Sequence, residues 1–266
     1  MPYATFILST GRCGTQWIAR SLERSYADLI DVKHEPLHNE YDPRRMLSLS
    51  VDAAAILPDA VVAHIEGLAR LERPYLECGH PCWSAIPYLL RRFPNRTRVI
   101  HLTRHPVPTC LSWLTQSAYE PPLLLHLEER VLLSPSDAGV RFGDYQERWD
   151  GLSPYEKCLY YWSEVNALGI DTHEETQAPW LVLKYEDLFH GDGLEDLLVF
   201  LDLPARPGIF EDRAALDDDH RFVTMPGHDW RAIRGHPQAV AIAEQLGYDV
   251  FEVDEAALFR RYVEGQ

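Results

Sequence analysis

Short apolar runs alternate with longer helical patterns from the first residues onward. Phe6–Leu8 is an apolar run that stops at Ser9-Thr10-Gly11-Arg12-Cys13-Gly14-Thr15, after which Trp17, Ile18 and Leu22 fall on one side of a helix. Leu29–Val32 reads as a second strand that ends at Lys33-His34-Glu35-Pro36, where Pro36 blocks helix and leaves polar residues at the strand's end. Val61–Leu71 reads as a helix, Tyr75–Cys78 as a strand and Ile86–Phe93 as a helix. Arg98–Thr103 is a buried strand ending at Arg104-His105-Pro106, and Val107–Leu114 continues as a helix with Pro106 or Pro108 in its first turn, where a missing N–H costs nothing. A helix over Pro154–Leu168, a strand over Trp180–Lys184 and a helix from the Tyr185-Glu186-Asp187-Leu188 segment through Leu201 complete the pattern.

Strands alternating with helices at this spacing predict an α/β fold: a central, mainly parallel sheet with helices on both faces. In such sheets ligands bind beyond the carboxyl ends of the strands. Glu35, Arg104, Tyr185 and the Ser9–Thr15 loop all stand just past predicted strands, so they are expected to converge. No internal repeat or low-complexity linker interrupts the 266 residues, and one domain over 1–266 is the expectation.

The formal net charge of −16 argues against an extended nucleic-acid or anionic-membrane surface, while a small anionic ligand can still be held where a few Arg and Lys converge. Five Cys, scattered from Cys13 to Cys158, lack the even, closely spaced pattern of a disulfide-stapled secreted domain. The N-terminus has no basic region followed by a long apolar stretch and cleavage site, and no run reaches the roughly 18 apolar residues that span a bilayer. A soluble cytoplasmic protein is expected. Asp217-Asp218-Asp219 reads as a solvated acidic loop.

The chemistry starts in the first loop. A strand opening into Thr10-Gly11-Arg12-Cys13-Gly14-Thr15 and then a helix has the parts of a phosphate cradle: glycines that let N–H groups turn inward, a helix N-terminus, the charge of Arg12 and the hydroxyl of Thr15. The loop is neither G-x-x-x-x-G-K-[ST] nor G-x-G-x-x-G. Leu8-Ser9-Thr10-Gly11-Arg12-Cys13-Gly14-Thr15-Gln16-Trp17 resembles the 5′-phosphosulfate loop of sulfotransferases that use 3′-phosphoadenosine 5′-phosphosulfate (PAPS). A second mark of that family is a strand ending in Arg with a Ser eight positions on, and Arg104 with Ser112 is similar to it. Leu183-Lys184-Tyr185-Glu186-Asp187-Leu188 resembles a segment common after a late strand in the family, although Tyr185 and Leu188 could simply pack while Asp187 caps a helix. Met225-Pro226-Gly227-His228-Asp229-Trp230-Arg231 is weakly similar to a loop that closes over the donor, and departs from the family's Arg-Lys-Gly pattern.

The resemblance implies a P-loop-like sulfotransferase fold and a donor site in which Arg12, Cys13, Gly14, Thr15, Gln16 and Trp17 hold the 5′-phosphosulfate. Arg104 and Ser112 would hold the 3′-phosphate, with Tyr185, Arg221, Trp230 and Arg231 as further donor contacts. It implies PAPS as co-substrate, adenosine 3′,5′-bisphosphate (PAP) as product, and no metal requirement. His34-Glu35-Pro36-Leu37-His38 resembles a segment of carbohydrate sulfotransferases in which a Glu is implicated as base, whereas aryl and steroid enzymes use a His from a later segment. Glu35 therefore competes with His34, His80 and His105 as base, and Arg12 is the cation for the departing phosphate oxygen. Cys78-Gly79-His80-Pro81-Cys82 carries ligand-type residues at alternate positions, but zinc wants four ligands and no second cluster is evident.

An insertion at about 115–155 is expected to cover the acceptor, with Tyr119, Leu123–Leu127, Trp149, Tyr155, Tyr160, Tyr161 and Trp162 as an aromatic-rich wall suited to a sugar, phenolic or lipid-like molecule. The same aromatics at helical spacing would equally form core. Two alternatives stay open at this level. One is a phosphoryl-transferring P-loop-type enzyme, disfavoured by the missing Lys-Ser/Thr pair; the other is a nucleotide-binding protein without catalysis.

Overall fold

The computed structural model describes residues 2–37, 42–48, 57–120, 131–209 and 229–262. In chain order the elements are β1 (Ala4–Leu8), α1 (Thr15–Tyr26), β2 (Asp31–His34), α2 (Pro43–Ser48), α3 (Asp59–Ala69), β3 (Tyr75–Cys78), α4 (Ile86–Arg92), β4 (Thr97–Thr103) and α5 (Pro106–Leu114). They continue with α6 (Pro154–Glu175), β5 (Trp180–Lys184), α7 (Tyr185–His190), α8 (Gly193–Phe200), α9 (Pro237–Gln245) and α10 (Glu255–Tyr262). Three 3₁₀ segments, His80–Ala85, Gly143–Gly151 and Trp230–Gly235, complete the set used below. The chain packs as two compact units, Met1–Thr103 with Leu168–Arg213, and Arg104–Ala167 with Ala214–Gln266.

The first unit holds a five-stranded sheet in the order β2-β3-β1-β4-β5, every neighbouring pair parallel. All five residues of β1 are buried, as a central strand covered on both faces must be. Phe6, Ile7 and Leu8 have no exposed surface, and burial of such side chains is worth about 1.5–3 kcal/mol each. Trp17, Ile18, Leu22 and Tyr26 give α1 its buried face, the stripe expected from their spacing. Among the described residues, no helix is long and apolar enough to cross a membrane.

Several element boundaries differ from the sequence expectation, each for a local reason. The second strand is Asp31–His34, not Leu29–Val32: the Tyr26 carbonyl accepts the N–H groups of Leu29 and Ile30 in a turn, and pairing starts only where Asp31 donates to Pro74. The helix expected from Tyr185 through Leu201 is broken at Gly191-Asp192 into α7 and α8. Gly193 at the break lies so close to the turn before it that a Cβ would sit 2.9 Å from the Asp187 carbonyl carbon. Helix α6 runs to Glu175 rather than Leu168.

The second unit is helical, and its core is aromatic. Tyr155, Tyr160, Tyr161 and Trp162 are at most 1% exposed, so these members of the expected acceptor wall are core residues. Trp113 meets Tyr161 edge-on, and the buried Tyr119 hydroxyl both donates to the Leu133 carbonyl and accepts the Leu133 N–H. Leu123–Leu127 lie outside the described residues. The Tyr262 hydroxyl donates to Pro108, tying α10 to α5.

Two helical glycines in the first unit predict opposite outcomes for one substitution. A Cβ on Gly67 in α3 meets nothing within 4 Å, whereas on Gly169 in α6 it would sit 2.6 Å from the buried His101 ring. Gly67→Ala should stabilise by roughly 0.5–1 kcal/mol through helix propensity. Gly169→Ala should destabilise by about 1–3 kcal/mol through overpacking. Paired urea melts measure both; a stabilised Gly169→Ala would contradict the His101–Gly169 packing.

Candidate functional site

Because all five strands run the same way, their carboxyl ends share one edge of the first unit. The loop after β1 occupies the centre of that edge. Gly11, Arg12 and Gly14 all take left-handed φ values, 76°, 59° and 79°. The turn is held from within: the Gly11 N–H donates to Ser9 Oγ at 3.2 Å, and the Thr10 hydroxyl and Cys13 thiol both donate to the Gly11 carbonyl. Ser9, Thr10, Cys13 and Thr15 are buried, Arg12 and Gly14 half-buried and Gln16 exposed. Gly14 is the N-cap residue of α1, a left-handed position that favours glycine, and the helix begins at Thr15 with Ile18 donating to the Gly14 carbonyl. Trp17 packs into the core. The loop therefore carries a cation, a hydroxyl and a helix N-terminus on a compact frame, a combination suited to an anion.

Two strands away, about 10 Å at the usual strand spacing, β2 ends in a second cluster. Glu35 also takes a left-handed φ, 46°, and its N–H donates to the Cys78 carbonyl at 2.8 Å. Such a conformation costs a non-glycine residue of order 1–3 kcal/mol and persists only when its surroundings enforce it. Gly79 (φ 145°) leaves the room for it: a Cβ there would stand 2.3 Å from Glu35 Cγ. His80 Nδ1–H donates to Glu35 Oε1 at 3.2 Å, and His34 Nε2 lies 4.0 Å from the same oxygen. The Glu35 side chain is 18% exposed, mostly covered but not sealed from solvent.

His80 heads the 3₁₀ segment His80–Ala85, and the Cys82 thiol donates to the Gly79 carbonyl and, more weakly, to that of Ile7 in β1. Burial pushes the Cys78 and Cys82 thiols well up, with the neighbouring Glu77 charge adding to it, so both are held in the thiol form. Among the described residues no group of three or more His, Cys, Asp or Glu is arranged to hold a metal ion. Tyr185, half-buried, opens α7 directly after β5 on the same edge.

The remaining sequence-derived site residues belong to the second unit. Arg104, its first residue, is 6% exposed and its carbonyl accepts from Trp162 Nε1 at 3.1 Å; Ser112 is buried in α5. His105 is the N-cap of α5: its Nδ1 accepts the Val107 N–H at 3.2 Å, which puts the ring proton on Nε2, facing the Asp249 carbonyl at 3.1 Å. Both ring nitrogens thus serve the backbone. Arg231 is exposed, stacks on Trp230 and pairs with Glu255, while Asp229 caps the short segment that the two open. Arg221 lies outside the described residues.

Sequence reasoning missed a polar chain in the second unit. The Tyr145 hydroxyl donates to His236 Nδ1 at 2.8 Å, His236 Nε2–H donates to Glu156 Oε1 at 3.1 Å, and Glu156 Oε2 accepts from the N–H and hydroxyl of Ser153. Burial holds His236 below the usual imidazole range despite the Glu156 carboxylate. Burial pushes Tyr145 up to about 12. Also missed was Glu77 in β3, 1% exposed, which accepts from His64 at 2.7 Å and Tyr75 at 2.9 Å. The link from His236 to Glu156 spans 80 residues and that from His64 to Glu77 spans 13, whereas Ser153-x-x-Glu156, a capping box ahead of α6, was visible locally.

Comparison with known proteins bears on the fold. No family model matches the chain, and no curated protein matches it in sequence. Among solved structures, the sulfotransferase domain from the curacin biosynthetic pathway superposes over 94% of this chain and 99% of its own, with a TM-score of 0.54 at 16% identity. The chain has the sulfotransferase fold. Also similar are the sulfotransferase domain of the Synechococcus PCC 7002 olefin synthase (15% identity, 94% and 95% covered, TM-score 0.48) and mouse sulfotransferase SULT7A1 complexed with PAP (16%, 85% and 70%, 0.45).

Two outcomes follow for this sulfotransferase fold. Gly79→Ala should cost about 1–3 kcal/mol in a urea melt, since the new methyl group and Glu35 cannot share their space; pairing it with Glu35→Gly should recover part of that loss. In the second unit, His236 binds a proton more readily unfolded than folded, so stability falls as pH drops through the ordinary imidazole range. Melting temperature between pH 7.5 and 5.5 should fall less steeply in His236→Gln than in the parent; equal slopes would place His236 outside that effect.

Proposed function

We propose that this chain transfers a sulfuryl group from PAPS to a hydroxyl, or an amine, of a sugar, lipid or small-molecule acceptor. The observation that carries the reading is the pairing, on one sheet edge, of a left-handed glycine loop at a helix N-terminus with a constrained carboxylate two strands away. The similarity of the loop and of Arg104 with Ser112 to PAPS-site motifs supports the identity of the donor, and the fold is compatible with it.

In this reading Arg12 and the N–H groups of Cys13, Gly14, Thr15, Gln16 and Trp17 hold the 5′-phosphosulfate, and Arg104 with Ser112 holds the 3′-phosphate. Tyr185, Arg221, Trp230 and Arg231 are additional donor contacts. Glu35 takes the acceptor's proton as the acceptor oxygen bonds to sulfur. The bond from sulfur to the bridging oxygen breaks, its electron pair leaves on the 5′-phosphate beside Arg12, and PAP and the sulfated acceptor are released. Charge stabilisation by Arg12 and the helix terminus needs no metal ion. Of the imidazoles, His34 and His80 stand beside Glu35, whereas His105 serves α5 as its cap.

The test combines binding and turnover. PAP at about 100 times its Kd should raise the melting temperature by on the order of 5 °C, without added magnesium, and Arg104→Ala should remove most of that rise. With PAPS and a panel of hydroxyl acceptors, Glu35→Gln should lower kcat by about 100-fold or more while keeping the PAP-induced rise. A parent protein unmoved by PAP would reject the donor; binding that required magnesium would favour a phosphoryl-transfer enzyme.

A further inference from the structure

The Glu35 carboxylate is held by more constraints than a surface acid needs. Its backbone is left-handed, its N–H is committed to Cys78, its Cγ occupies the space a side chain at 79 would fill, and its Oε1 accepts from His80. His80 is itself placed by the segment it heads, where buried Pro81 follows and the Cys82 thiol grips the Gly79 carbonyl. An exposed carboxylate–imidazole pair contributes little to stability. Here both partners are mostly covered, 14% exposed for His80 and 18% for Glu35, yet neither is sealed from solvent.

We propose that His80 is a positioning residue for Glu35: its Nδ1–H fixes the rotation of the carboxylate and, by its protonation state, sets how strong a base that carboxylate is. The proposal rests on the sulfuryl-transfer reading. Transfer moves the acceptor proton onto Glu35, and no proton crosses to His80. With His80 neutral, its Nδ1–H orients the Glu35 carboxylate and adds no charge beside it. With His80 protonated, the adjacent positive charge stabilises the anion and weakens the base. The two titrate as a coupled pair, and transfer gains as His80 loses its proton.

Charged and titratable groups from several elements stand around the pair. His34 of β2 lies 4.0 Å from the same Glu35 oxygen. Glu77 and Cys78 come from β3, and Cys82 from the 3₁₀ segment, its thiol kept protonated by burial and then by the charges of Glu77 and Glu35. Helix α2, packed against that segment, carries Arg44 in an ion pair with Asp42. His34, the imidazole that stands 4.0 Å from the same oxygen, is the internal comparison.

The experiment uses the full chain. Imidazole ¹⁵N resonances of the free protein are followed through a pH titration in the parent and in Glu35→Gln, which reads the pair without any acceptor. Loss of the carboxylate should lower the proton affinity of His80 at least threefold, and by more than that of His34. An indifferent His80 overturns the proposal. Turnover is then measured with PAPS and two probe acceptors, p-nitrophenol and octyl glucoside. His80→Ala should lower kcat about 10- to 100-fold with KM for PAPS within about twofold. His80→Asn, which still donates to the carboxylate but does not titrate, should recover most of kcat and lose the His80 step of the pH–rate profile, keeping only the inflection of the Glu35 carboxylate itself at lower pH. Unchanged kcat in His80→Ala, or a pH–rate profile of His80→Asn that superposes on the parent's, overturns the proposal while leaving the donor reading intact. A parent protein that neither binds PAP nor turns over PAPS overturns both, so the two failures are distinguishable.

Discussion

The ladder that pairs β1 with β3 on one side and β4 on the other is the constraint from which the first unit is built. Both faces of β1 are filled, so register there is a matter of packing: one step of slip would carry Phe6 and Leu8 to the opposite face and bring Ile7 into their place. Because the pairing is parallel throughout, the same register also decides which residues emerge together at the carboxyl edge. Leu8 leads into the Ser9–Trp17 loop, His34 into Glu35 and Cys78 into Gly79, so the loop and the carboxylate cluster inherit their separation from backbone hydrogen bonds.

At that edge the chain departs from the rules that serve the sheet beneath it. Arg12 and Glu35 adopt backbone conformations that L residues disfavour, and Gly79 gives up a side chain so that Glu35 can occupy its space. Strain gathered at the ends of otherwise regular strands is a common sign of a working surface. In the second unit the buried polar chain from Tyr145 through His236 to Glu156 is satisfied at each link, as a structural network should be.

The sheet was largely legible in the sequence because its strands are short apolar runs bounded by Gly, Pro and charge. Tyr75–Cys78 and Trp180–Lys184 agree with expectation to the residue. The second strand shifted because nothing in the letters Leu29-Ile30 reveals that the carbonyl of Tyr26 will claim both N–H groups. Site residues next to strand ends could be nominated, but their relations could not. That His80 holds Glu35, and that Gly79 must be bare for Glu35 to fit, are tertiary facts between positions 45 and 44 residues apart. The aromatic run of α6 showed the opposite problem. Its spacing suited both a wall and a core, and burial assigns Tyr155, Tyr160, Tyr161 and Trp162 to the core.

All five cysteines are buried thiols, none of them in a disulfide. In Cys78, Cys82, Cys110 and Cys158 burial also pushes the thiol away from the reactive thiolate form. A thiol reagent added to the native protein can therefore act only as fast as the chain exposes each sulfur. Cys78 and Cys82 sit beneath the carboxylate cluster in the first unit, and Cys110 and Cys158 lie on α5 and α6 in the second. Their separate alkylation rates would clock the opening of each unit without any probe being introduced.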